Sequence, residues 1–166
     1  MNYNIVPLNH SHKKQTFQCG KELLDNYLHK QANQDVKRKL TVCFVLATED
    51  ETVIGYYTLS NTGIPREIVP EEISNKLPKS YDDLPATLLG RLAIDKNFAG
   101  QGYGELLLID ALKRSYNIST SSMGSMAVIV DPIDAQAVNF YEKYGFISLP
   151  DSGKMFIPMK TVAQLF

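Results

Sequence analysis

The chain has no surplus of charge of either sign. Its 166 residues hold 17 lysines and arginines against 18 aspartates and glutamates, a formal net charge of −1. Nothing global therefore advertises a polyanionic partner, although a local basic patch stays open. Cysteine is scarce. Cys19 and Cys43 are the only two, and their spacing suits neither a disulfide framework nor a zinc site, so no metal is expected. The three histidines, His10, His12 and His29, fall near the start. No cysteine or carboxylate cluster joins them, and His10 and His12 read as solvated surface. No apolar run approaches the ~20 residues that span a bilayer. The opening MNYNIVPLNH lacks the charged-then-apolar order of a secretory signal. A reduced, cytoplasmic protein is the expectation. Internal repeats and low-complexity tracts are absent as well.

What is present is an ordinary globular composition, 44% hydrophobic and 21% charged, in a length that suits one domain with a real core. YNIVPL predicts a first strand, and CGKELLDNYLHK a helix whose Leu23, Leu24, Tyr27 and Leu28 repeat at helical spacing. Helical character continues, after a break, through QANQDVKRK, where Lys37, Arg38 and Lys39 read as a solvated face. TVCFVLAT and TVIGYYTLS, joined by EDE, predict an antiparallel hairpin. IPREIVPEEISNKLPKSYDDLP is broken by prolines, yet its isoleucines and leucines predict packing on the domain. ATLLGRLAID predicts a strand, ELLLIDALKRS a helix and SMAVIVD a buried strand, together a βαβ crossover. DAQAVNFYEKYGF predicts a short helix stopped by Gly145. FISLP and KMFIPMK predict a closing strand pair.

The densest signal is AGQGYGELLLI at residues 99–109, with glycine at every second position ahead of a helix. Glycine permits positive φ and close approach to the backbone. The first amides of a helix, with its positive dipole end, form a seat for phosphate. A plain strand-to-helix turn would use the same glycines, so the motif alone leaves both readings standing.

LLGRLAIDKNFAGQGYGELLLIDAL followed by AVNFYEKYGF resembles the core of the GNAT superfamily of acetyl-CoA-dependent N-acetyltransferases. With FQCGKELLDNYL, VIGYYTLS, LPATLLGRLAID and MFIPMKT, nearly the whole chain resembles the branch found as toxins in bacterial toxin–antitoxin pairs. The resemblance implies an α/β fold with a GNAT-like mixed, mostly antiparallel central sheet and helices on both faces, in one acetyltransferase domain over residues 1–166. The family motif is Gln or Arg, two residues, Gly, one residue, then Gly or Ala. Gly102 and Gly104 fill the last two places, while Ala99 departs at the first and removes a side chain often found near the phosphates.

The resemblance further implies that the pyrophosphate of acetyl-CoA sits on the backbone of Gly100, Gln101, Gly102 and Gly104. The main chain of Leu92 and Ile94 would pair with the pantetheine arm, with their side chains in the core. The Asn139 amide would bond the same arm, unless Asn139 is merely an exposed helix position. Tyr141 matches the tyrosine that protonates the departing thiolate. A phenol of pKa ~10 stays neutral at pH 7 while a thiol titrates at ~8.5. Tyr144 reads as a core aromatic. No strong base announces itself, and Asp95 reads equally as the closure of a turn. An α-amine of pKa ~7.7–8.0 is already partly neutral near pH 7, unlike lysine at ~10.4.

The toxin branch implies an aminoacyl-tRNA acceptor. Lys13, Lys14, Lys30, Lys37, Arg38, Lys39 and Arg91 would then meet phosphates, against the acidic Glu71, Glu72, Asp82 and Asp83. An antitoxin partner and a homodimer are implied too. Two other readings remain: the same chemistry on a small amine, peptide N-terminus or protein lysine, and a non-catalytic acyl-CoA-binding module supported only by Ala99.

Overall fold

A computed structural model describes residues 3–166. Seven strands, β1 (Asn4–Pro7), β2 (Val42–Ala47), β3 (Val53–Pro65), β4 (Asp83–Ile94), β5 (Ala127–Val130), β6 (Ile147–Ser148) and β7 (Met155–Pro158), stand in the order β1-β2-β3-β4-β5-β7-β6. The helices are α1 (Glu22–Lys30), α2 (Ala32–Lys37), α3 (Glu71–Ser74), α4 (Tyr103–Ser121), α5 (Ala135–Lys143) and α6 (Met159–Val162). The registered ladders are antiparallel except β4 with β5, which is parallel and connected through α4. Internal contacts divide the chain into two compact units: residues up to Ser60 with Leu89–Ala111, and Asn61–Leu88 with Leu112–Phe166.

The first unit is built on a three-strand ladder. Val45 lies opposite Tyr56 and Phe44 opposite Tyr57. The latter rings stack at 5.2 Å, a cross-strand aromatic pair contributing about 0.5–1.5 kcal/mol beyond its buried area. One face of this ladder gathers Phe17, Tyr27, Leu28, Ala32, Val45, Val53, Tyr56 and Ala93 into a core. On α1, Tyr27 and Leu28 are buried, but Leu23 is 81% exposed. The predicted apolar face is thus narrower than the sequence spacing implied. The buried Asp25 holds the approach to α1, its Oδ1 accepting from the Cys19 N–H at 2.8 Å.

His12 also departs from expectation. His10 is exposed, but His12 is buried, and its Nδ1 accepts from the Asn9 N–H at 3.0 Å. A side chain that closes a three-residue turn gains a backbone partner inside, which the HSH pattern did not reveal.

In the second unit, Thr87 registers with Val128 and Leu88 with Ile129, while β5 also pairs with β7 and β7 with β6. Its core holds Ile64, Val69, Leu84, Ala86, Ala127, Ile129, Leu149 and Phe156. The proline-broken segment packs here as predicted, with Ile68, Ile73 and Leu77 against the core. The Arg66 guanidinium gathers that segment by donating to the carbonyls of Ser74, Leu77, Pro78 and Tyr81 at 2.6–3.2 Å.

Boundaries shifted outward where packing extends an element beyond its propensity signal. β4 begins at Asp83, and α4 runs 19 residues from Tyr103 to Ser121. Neither α6 nor the 3-10 turn Ala163–Leu165 was signalled in the sequence. Among the described residues no helix is long and apolar enough to cross a membrane.

Candidate active site

In the first unit, β4 is followed by a carboxylate both of whose oxygens accept from the backbone. Asp95 is 6% exposed; Oδ1 accepts from the Asn97 N–H at 2.9 Å and Oδ2 from the Gln18 N–H at 3.0 Å. Its own N–H donates to the Ile54 carbonyl at 2.8 Å. Asp95 therefore caps the 3-10 turn Lys96–Phe98 and closes the route into the glycine segment, the structural one of its two readings.

Beyond it, Ala99 is extended, and Gly100 and Gly102 take φ of +76° and +85°, a region that favours glycine. A Cβ placed on either would meet no atom within 4 Å. The two glycines thus serve backbone conformation, and the space before them is open. The Leu106 N–H makes the first helical bond of α4, to the Gly102 carbonyl at 3.1 Å. Among the described residues, the N–H groups of Gly100, Gln101, Gly102, Tyr103, Gly104 and Glu105 have no acceptor. Six donors grouped at the positive end of a 19-residue helix are an arrangement that favours an anion. A diphosphate fits that chemistry. Gly100, Gln101, Gly102 and Gly104 are the positions expected from the sequence, and Tyr103 and Glu105 present further free amides beside them. Ala99 contributes no donor side chain.

Leu92 and Ile94 are half-buried on β4, past the last registered pair with β5 at Leu88. Ile94 does pack as core. Its Cδ1 and that of Leu107 would stand 2.6 and 2.9 Å from a Cβ on Gly55. Close by, the Thr58 hydroxyl is buried without a partner among the described residues, next to Gly90.

In the second unit, α5 is capped by Asp134, whose Oδ1 accepts from the Ala137 N–H at 2.8 Å. Gly145, at φ +98°, stops it, and the Phe146 N–H returns to the Tyr141 carbonyl at 3.2 Å. Asn139 is exposed on this helix. Tyr141 is 8% exposed, its ring set between Phe140 and Phe146 at centroid distances of 5.3 and 5.1 Å. Burial pushes its phenol well above the ordinary range, because the charged form loses hydration without gaining a partner. Among the described residues its hydroxyl has no hydrogen-bond partner. It is a neutral, uncommitted donor. Tyr144 is only half-buried, its ring 5.2 Å from that of Phe140.

The acetyltransferase (GNAT) domain family matches residues 39–148. The chain belongs to this family. GNAT enzymes draw the acetyl group from acetyl-CoA, and the turn at Gly100–Glu105 offers what its diphosphate requires. A tRNA-acetylating toxin of Mycobacterium tuberculosis is 32% identical over 90% of this chain and 88% of its own. The toxin AtaT in complex with acetyl-methionyl-tRNAfMet is 30% identical, with a TM-score of 0.91 and 99% of both chains covered. A tyrosine-to-phenylalanine variant of AtaT, bound to the C-terminus of the antitoxin AtaR and acetyl-CoA, is 27% identical. Its TM-score is 0.84, covering 100% of this chain and 99% of that one. This GNAT chain shows no group of three or more His, Cys, Asp or Glu side chains able to hold a metal among the described residues.

Proposed function

We propose that this GNAT acetyltransferase moves the acetyl group of acetyl-CoA onto the α-amino group of aminoacyl-tRNA, and so acts as a translation-blocking toxin. The acceptor assignment is supported by likeness, over nearly the full chain, to a tRNA-acetylating toxin and to AtaT with its acetylated tRNA. The observation that carries the transfer chemistry is the set of acceptorless amides from Gly100 to Glu105 at the head of α4.

Acetyl-CoA supplies a thioester carbonyl open to attack by an amine. The amides of Gly100, Gln101, Gly102, Tyr103, Gly104 and Glu105 hold its diphosphate, and the main chain of Leu92 and Ile94 aligns its arm. Asn139, exposed on α5, bonds the arm through its amide. The Tyr141 Oη–H gives its proton to the departing sulfur, and the proton that the attacking nitrogen sheds on becoming an amide passes through water to restore the phenol. Burial keeps that phenol neutral at working pH, so the proton is there to be given. No side chain is assigned as base. Asp95, the carboxylate that follows β4, is spent on two backbone amides, and an α-amine of pKa ~7.7–8.0 needs little help to be neutral.

The exposed Lys30, Lys37, Arg38 and Lys39, on and just after α1 and α2, meet the tRNA backbone, with Lys13 and Lys14 contributing from the preceding segment. A homodimer and a small antitoxin partner complete this reading; the latter draws on the likeness to AtaT bound to AtaR. The test is coenzyme A release from acetyl-CoA with aminoacyl-tRNA and free amines offered in parallel. Release with charged tRNA, and acetyl-CoA-dependent arrest of cell-free translation, is the expected result. Release only with free amines would move the enzyme to another acceptor class and end the toxin reading.

A further inference from the structure

Arg91 of β4 carries a charge that no carboxylate among the described residues answers. It is half-buried, and its guanidinium lies 3.5 Å from the ring centroid of Tyr27. Among the described residues it has neither a hydrogen-bond acceptor nor a salt-bridge partner. Arg66, equally half-buried, donates to four carbonyls. Withdrawing a charge from water without a partner is unfavourable, and an aromatic face offsets only part of it. The ring is itself fixed. The Tyr27 hydroxyl donates to Asp35 Oδ2 at 2.9 Å, and the ring stacks on Tyr56 at 6.4 Å. The Tyr56 hydroxyl donates to the Leu24 carbonyl at 2.7 Å. Asp35, the carboxylate that fixes the Tyr27 hydroxyl, also accepts from the Gln31 amide at 3.4 Å. A planar fork of donors is thus held in one orientation with its hydrogens unspent, the arrangement that receives a phosphate or carboxylate bidentately.

Strand alternation places Arg91 with Leu89 and Ala93, and Ala93 shares its core with Tyr27 and Ala32 of α1 and α2. Those helices lead to the exposed Lys30, Lys37, Arg38 and Lys39. Arg91 precedes Leu92, whereas the diphosphate seat follows Ile94. Arg91 and the glycine turn therefore flank the stretch Leu92–Ile94 in the chain.

Resting on the acceptor reading above, we propose that Arg91 is a positioning residue for the acceptor. Its guanidinium receives a phosphodiester group near the 3′ end of aminoacyl-tRNA and brings the α-amine to the acetyl group. Free amino acids and peptides lack that group, so Arg91 favours charged tRNA over them.

The experiment compares wild type, Arg91→Gln and Arg91→Lys with aminoacyl-tRNA and with a 3′-aminoacyl adenosine that has no phosphodiester. Coenzyme A binding is followed by calorimetry. Arg91→Gln should raise KM for aminoacyl-tRNA about ten- to hundredfold, the loss of one charge-assisted contact, with a smaller change in kcat. Arg91→Lys keeps charge without the fork and should recover part of the loss. Coenzyme A affinity and the KM for the adenosine acceptor should not follow. Equal KM increases for both acceptors, an unchanged KM for charged tRNA, or weakened coenzyme A binding in Arg91→Lys would each overturn the assignment. Thermal melting of both variants separates loss of fold from loss of contact. Wild type that ignores charged tRNA but acetylates free amines would instead refute the acceptor reading, before any variant is made.

Discussion

Gly102 and Gly153 form a matched pair for testing what the glycine turn is for. Both have positive φ, +85° and +72°, and a Cβ on either meets nothing within 4 Å. Alanine at each therefore introduces backbone strain without a clash inside the chain, costing about 1–2 kcal/mol. At about 2–4 °C per kcal/mol for a chain of this size, both Gly102→Ala and Gly153→Ala should melt about 2–8 °C lower. Only Gly102 lies among the acceptorless amides at the head of α4. There the added methyl enters the space that the diphosphate must occupy, and strain tilts amides away from it. Gly102→Ala should then weaken acetyl-CoA binding, measured by calorimetry, at least tenfold, a change of about 1.4 kcal/mol. Gly153→Ala should bind as wild type does. Equal affinity in the two variants would refute the anion seat and leave Gly102 as a turn residue only.

Tyr141→Phe keeps the ring between Phe140 and Phe146 and removes a hydroxyl that bonds nothing among the described residues. Its melting temperature should hold, while kcat falls about 10²–10⁴-fold, the usual worth of a positioned acid; undiminished turnover would remove Tyr141 from the mechanism. Asp95→Ala deletes two bonds from a buried carboxylate to the Asn97 and Gln18 amides. At about 1.5–3 kcal/mol each for charged groups, it should destabilise by about 3 kcal/mol or more, and an unchanged melting temperature would contradict the capping role. Burial pushes the Cys43 thiol from 9.0 to about 12. Between those values the unfolded chain has released a proton that the folded chain still holds. Cys43 thus contributes stability that is full below pH 9 and lost as pH rises through about 12. Denaturant titrations from pH 8 upward should show the decline, and Cys43→Ala should flatten it; parallel curves for the two proteins would contradict it.

The sequence alone was enough for the order of the seven strands and of α1, α2, α4 and α5, because that information is local. Alternating β-branched and aromatic residues gave β2 and β3, Gly145 gave the end of α5, and the run AGQGYG gave the strand-to-helix turn. The family resemblance rested on the same contiguous stretches. Tertiary structure decided what each side chain does, because partners come from distant segments. Asp95 could have been a base until its two oxygens were found on Gln18 and Asn97. His12 and Leu23 exchanged their expected places, one buried by a turn bond and the other left on the solvent side of a helix whose core face is narrow. The run of free amides is wider than its glycines because a helix end leaves any residue's amide free, and periodicity does not record which donors go unpaired. Arg91 was one cation among several in the chain. Only the fold laid it on Tyr27 with no counter-charge beside it among the described residues, since an unmet charge is a property of surroundings, not of a residue.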